Sequence, residues 1–130
     1  MTERARVTGI GGVFFKARDA EALSAWYAHH LGVPFKTGEG ALFRWEQDPK
    51  IDGGTTVWSA FAADTTYFDP SPAPFMINFR VADLDALLAQ LKAEGVQIDQ
   101  KREDYDFGRF AWIYDPEGNK IELWQPLKPS

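Results

Sequence analysis

The chain has 130 residues, 45% of them hydrophobic and 25% charged, which suits one folded domain and excludes a disordered segment. Nineteen acidic against fourteen basic side chains leave a net charge of −5 with no Lys/Arg cluster, so nucleic acid is not an expected partner. No apolar run can span a bilayer, Met1 to Arg6 has no apolar signal core, and without Cys there is no disulfide, thiolate nucleophile or Cys zinc site, so a cytoplasmic protein without a membrane partner is expected.

Gly9 to Ala17 reads as a strand ending in Val13-Phe14-Phe15. Asp19 is placed to cap the helix that follows, and Glu21 adds negative charge to its first turn. Leu23, Trp26, Tyr27 and Leu31 form its apolar stripe, and Gly32 stops it. Val33–Lys36, Ala41–Glu46 and Thr55–Ala62 read as three strands, so residues 7–63 make a β-α-β-β-β unit. Residues 64–75 hold Pro70, Pro72 and Pro74 and read as a connector.

The order then repeats over residues 76–126. Met76–Val81 is a strand, and Asp83 caps a helix whose stripe is Leu84, Leu87, Leu88 and Leu91 and which Gly95 ends. Val96–Asp99, Phe110–Tyr114 and Lys120–Gln125 complete the unit, with a turn at Asp115-Pro116-Glu117-Gly118-Asn119. The residues themselves repeat. Phe15 to Leu23 recurs 64 positions later as Phe79 to Leu87, and Phe43 to Pro49 recurs as Phe110 to Pro116. The fold class is therefore α+β: two tandem β-α-β-β-β modules, sheets inward and one helix outside each, facing each other across a pseudo-twofold cleft.

Paired modules of this kind, the helix Asp19 to Tyr27 ending in Leu31-Gly32, and the closing Asp115-Pro116-Glu117-Gly118-Asn119-Lys120-Ile121-Glu122-Leu123 resemble the vicinal oxygen chelate superfamily. That group includes glyoxalase I, bleomycin-resistance proteins and extradiol dioxygenases, and the resemblance runs from about Val7 to Pro126. It implies a homodimer and, in the enzymes, a divalent metal in the cleft held from the first and last strands of each module. Motif spacing and an offset of 64 between modules put those positions at Gly12, Trp58, Met76 and Glu122. Only Glu122 is a good ligand, because Gly12 has no side chain, the Trp58 indole only donates, and a Met thioether is too soft. No metal cofactor is expected at the usual positions; a displaced site of Glu122, Glu103 and Asp106 is the alternative. The only histidines, His29 and His30, are neighbours at a helix end, which argues against the two-His, one-carboxylate set of a dioxygenase.

Alternation sends Glu122 to the cleft with Lys120 and Trp124, where desolvation would raise its pKa and let it act as a general base. A structural pairing with Arg80 or Arg109 would also explain it. Met76, Asn78 and Arg80 share a strand face; Asn78 needs either a ligand or a cross-strand partner if buried. Phe14, Trp58, Phe61 and Trp124 would line the cleft or fill it. Residues 101–109 read as a loop, either a lid carrying Tyr105 and Arg109 to the ligand or an exposed charged segment. The ligand-binding candidates are thus Phe14, Trp58, Met76, Asn78, Tyr105, Arg109 and Trp124, with Glu122 the catalytic candidate. The first expectation is a small-molecule-binding or sequestering protein with a degenerate metal site. The second is a lyase or isomerase using Glu122 as base or as ligand of a displaced metal. A third is an interaction domain whose cleft is plugged by its own side chains.

Overall fold

The computed structural model describes residues 4–31, 33–44 and 55–127. Gly32, the Trp45-Glu46 end of the third expected strand, and Asp48-Pro49 of the second repeat lie outside them. The elements are β1 (Val7–Ala17), α1 (Ala20–Leu31), β2 (Phe35–Lys36), β3 (Gly40–Arg44), β4 (Thr55–Ala62), β5 (Phe75–Val81), α2 (Leu84–Ala93), β6 (Gln97–Tyr105), β7 (Gly108–Tyr114) and β8 (Lys120–Pro126). All eight strands join one mixed sheet in the order β2-β3-β4-β1-β5-β8-β7-β6.

Local chemistry starts both helices as expected. Asp19 Oδ1 accepts from the Ala22 N–H and Asp83 Oδ1 from the Ala86 N–H, both at 3.0 Å. Each satisfies one of the orphan donors of a first turn. After α2, Gly95 takes a φ of +80°, a conformation that favours glycine. The helices lie on the same side of the sheet. On that side Trp58 meets Tyr27 of α1 and Phe15 of β1, with ring centroids 4.9 and 5.3 Å apart. Leu84 and Leu87 of α2 pack with Val81, Ala111 and Leu123. Trp26 leaves the expected stripe of α1; it is half-exposed, edge-on to Tyr27.

The pairing of β1 with β5 explains the repeat. Val13 pairs with Ile77, the residue 64 positions on, so the pseudo-twofold passes between them. In the flanking parallel pairs the counterparts are Phe14 beside Ser59 and Asn78 beside Glu122. Phe14 maps onto Asn78 at an offset of 64, which makes Ser59 the counterpart of Glu122, at an offset of 63. The uniform offset therefore slipped by one residue at β4. A one-residue slip in a strand exchanges its faces, and Trp58 belongs to the helix side rather than the cleft.

The segment 101–109 is not a loop. It forms the end of β6 and the start of β7, a hairpin turning at Asp106 and Phe107. Both faces of β6 are polar here, so no hydrophobic alternation marked the strand. Arg102 and Arg109 point to the helix side, where both reach Asp85 of α2, at 2.5 and 3.4 Å. Arg109 thus sits across the sheet from the position expected for a ligand contact.

Leu84 is fully buried where α2 meets the sheet. Leu84→Ala should lower the unfolding free energy by about 2–5 kcal/mol, the usual cost of such a cavity. Urea titration checks this, and a loss below about 1 kcal/mol would contradict the packing.

Candidate functional site

The strands bring a carboxylate to the centre of the helix-free face. β8 lies between β5 and β7, with Asn78 beside Glu122 on one side and Trp112 on the other. Directly paired residues share a sheet face, so all three side chains point away from the helices. Glu122 is 1% exposed. Its Oε1 accepts from Asn78 Nδ2 at 2.6 Å, and its Oε2 accepts from Trp112 Nε1 at 3.0 Å and from the Tyr67 hydroxyl.

Among the described residues no arginine bonds the carboxylate. Arg109 faces α2, and the Arg80 guanidinium lies over the Trp124 ring at 5.7 Å. Neutral donors stand where the alternative reading put an ion pair with Arg80 or Arg109. Burial is the largest influence on the Glu122 carboxyl and raises its pKa; the three donors and the Lys120 charge pull the other way. The Tyr67 hydroxyl is also pushed up, by burial first and by the facing carboxylate second. Lys120 holds this tyrosine from behind. Its ammonium donates to the Tyr67 carbonyl at 2.8 Å and lies 5.6 and 5.4 Å from the Tyr67 and Trp112 ring centres.

Tyr67 and its neighbour Phe68 come from the connector, which carried no expected site residue. Phe68 is fully buried among Phe14, Met76 and Trp112. Phe61 stacks on Tyr67 at 5.4 Å and tilts against Phe68 at 5.1 Å. The connector therefore lays two aromatic rings over the face that the two modules build. The only advance sign was compositional: five Trp and ten Phe exceed what a small core needs.

At the β6–β7 end a second group of rings gathers. Phe110 lies parallel to Trp124 at 6.3 Å, and Tyr105 lies parallel to Phe107 at 5.1 Å, with the Tyr105 hydroxyl on Glu103 at 2.6 Å. Trp124 closes onto two glycines. A Cβ on Gly108 would stand 2.7 Å from Trp124 Nε1, and one on Gly11 would stand 3.0 Å from its Cε3 and collide with Asn78 Oδ1. A cavity of about 440 Å³ lies on the other module, walled in part by Phe14, Val57, Ser59 and Phe61.

With the register corrected, the positions implied for a metal are Gly12, Ser59, Met76 and Glu122. This set does not fit a divalent ion. It offers no side chain, a neutral hydroxyl, a thioether, and one carboxylate whose oxygens already accept from three protein donors. The displaced set is not assembled either: Glu103 is bound to Lys101 and Tyr105, and no trio of His, Cys, Asp or Glu gathers among the described residues. Of the expected site residues, Phe14, Met76, Asn78, Glu122, Trp124 and Tyr105 share the helix-free face, whereas Trp58 and Arg109 do not.

Residues 9–123 match the family described as the Glyoxalase/Bleomycin resistance protein/Dioxygenase superfamily. An uncharacterized protein of Mycolicibacterium smegmatis is 31% identical over 98 residues, 75% of this chain and 78% of that protein. Among solved structures, methylmalonyl-CoA epimerase from Mycobacterium tuberculosis superposes with a TM-score of 0.65 at 24% identity, covering 98% of this chain and 94% of its own. A Streptomyces coelicolor methylmalonyl-CoA epimerase variant bound to 2-nitronate-propionyl-CoA gives 0.69 at 17% identity, over 95% and 100% of the two chains. The Mn(II)-bound glyoxalase of Novosphingobium aromaticivorans gives 0.63 at 21% identity, over 93% of this chain and 40% of that one. At these identities the structural likeness speaks for the fold.

Folding raises the affinity of Glu122 for its proton, so its contribution to stability is present below the ordinary carboxylate pKa and is lost as pH rises through the raised native value. Glu122→Gln removes that titration. The stability of the native protein relative to the variant should therefore shrink as pH rises through this window, as read from urea unfolding at a series of pH values. A difference that grows with pH would contradict the direction.

Proposed function

The chain belongs to the glyoxalase/bleomycin resistance protein/dioxygenase superfamily, and on that premise we propose that it binds a small organic molecule without a divalent metal. One observation carries this reading: the Glu122 carboxylate, which the family resemblance makes a metal ligand, is instead bonded by Asn78, Trp112 and Tyr67. A metal would have to displace those donors and would find no second strong ligand at Gly12, Ser59 or Met76. In this reading Phe14 and Phe61 wall the ligand in the cavity beside the network. Met76 and Asn78, both buried, lie behind that wall rather than in the cavity lining, and Tyr105 and Trp124 supply a second aromatic surface. Trp58 and Arg109 support the site from the helix side. A homodimer and a cytoplasmic setting belong to the same proposal; among the described residues no helix is long and apolar enough to cross a membrane.

A second reading makes Glu122 a catalytic base. Burial moves its proton affinity toward that of a general base, which favours the idea. It requires Tyr67 to leave the carboxylate during turnover. Glu122→Gln separates the two readings, since a binder should keep much of its ligand affinity while an enzyme should lose turnover.

Thermal unfolding with added Mn²⁺, Ni²⁺ or Zn²⁺ should match that in EDTA to within about 1 °C, because an ion that does not bind the native state does not stabilise it. A midpoint that climbs with metal concentration would overturn the metal-free reading. Light scattering should give twice the chain mass, and a monomer at micromolar concentration would remove the dimer from the proposal.

A further inference from the structure

The cavity beside Phe14 opens where β4 loses a neighbour. β3 starts at Gly40, which takes a φ of +73° and turns the chain away, so β3 pairs with β4 only up to Trp58. From Ser59 to Ala62, β4 keeps a strand partner on the β1 side alone among the described residues. The space along this free edge is bounded by Ser24 and Glu21 of α1 and by Phe35, Thr37 and Glu39 around the β2–β3 turn. At about 440 Å³ it falls within the range of small-molecule sites.

Its chemistry has one sign. Phe14, Phe35 and Phe61 give an aromatic interior, and Glu21 and Glu39 stand at the rim. No Lys, Arg or His lines it among the described residues, and neither glutamate joins an ion pair among them. Ser24 is 4% exposed, borders the cavity, and forms no side-chain hydrogen bond among the described residues. The N-terminus of α1 would ordinarily attract an anion. Here Asp19 already caps it and Glu21 adds a negative charge to its first turn.

We infer that this cavity takes an organic cation: an aryl or alkyl amine whose apolar body lies against Phe14, Phe35 and Phe61 and whose ammonium faces Glu21, Glu39 and the Ser24 hydroxyl. A primary ammonium has three donors and no acceptor, which matches carboxylates, a hydroxyl and the carbonyls of an open strand edge. Aromatic faces attract the same charge. A carboxylate of the same shape would meet two like charges with no counter-cation. The inference rests on the metal-independent binding reading above and adds the ligand's chemical class.

Isothermal titration in EDTA with 2-phenylethylamine and with 3-phenylpropanoate tests it, because the two probes share a body and differ in charge. The amine should bind saturably and at least about tenfold more tightly than the acid. Glu21→Gln and Glu39→Gln should each weaken it by about two- to fivefold, as exposed charges do, and added salt should weaken it further. Ser24→Leu, which fills the cavity, should abolish binding; circular dichroism would verify that this variant is folded. Equal or tighter binding of the acid, no saturable binding of the amine, or unchanged affinity in both glutamate variants would overturn the inference. Metal-dependent stabilisation is read separately, so the failure of the metal-free reading is distinguishable from the failure of the ligand class.

Discussion

The burial of Glu122 is the constraint around which the rest of this structure is arranged. A carboxylate at 1% exposure costs several kcal/mol unless its oxygens are bonded. Asn78 from β5, Trp112 from β7 and Tyr67 from the connector supply those bonds. Each donor ties a different segment to β8, so the network joins both sheet neighbours of β8 and the strap above them. Lys120 extends it by holding the Tyr67 carbonyl. Removing any one donor would leave part of a buried carboxylate unsatisfied, which is more costly than the loss of an ordinary hydrogen bond.

The pseudo-twofold gives this arrangement its asymmetry. At equivalent places the second module has Asn78 and Glu122 where the first has Phe14 and Ser59. One half therefore buries a carboxylate bonded by protein donors, with Asn78 Oδ1 left unpartnered among the described residues, and the other has an aromatic-walled cavity. The connector runs across both, with Tyr67 on the network and Phe68 against Phe14 and Met76. A symmetric scaffold thus carries two different surfaces. The metal-free binding we propose follows from this division: the Glu122 carboxylate is already bonded by protein donors, while the aromatic half retains space.

Much of the fold was legible in the residues. The caps at Asp19 and Asp83, the glycine after α2 and the apolar stripe of that helix are local signals, and local chemistry decides them. The 64-residue repeat foretold two like modules, and in the structure β1 and β5 pair across their pseudo-twofold. The offset failed at β4 because the intervening segments differ in length by one residue, which no residue pattern in Thr55–Ala62 revealed; most of that strand is apolar or small on both faces. That slip moved Trp58 from the cleft to the helix side. The β6–β7 hairpin was missed because Lys101, Arg102, Glu103 and Asp104 are charged on both faces. Arg109 followed the same error, since its direction depends on the β7 register with β8. Tyr67 was invisible for another reason: its role depends on a carboxylate 55 positions away, reached through a proline-rich stretch with no periodicity. Met76, Asn78, Glu122 and Trp124 still fell on the expected face, because alternation along β5 and β8 is strong there.

The most direct measurement is an NMR titration of the Trp112 indole N–H, which donates to Glu122. Its resonance should shift in Glu122→Gln and in Tyr67→Phe, and should stay sharp as Mn²⁺ is added to the native protein. Selective paramagnetic broadening of this signal at substoichiometric Mn²⁺ would place a metal at Glu122 and contradict the account.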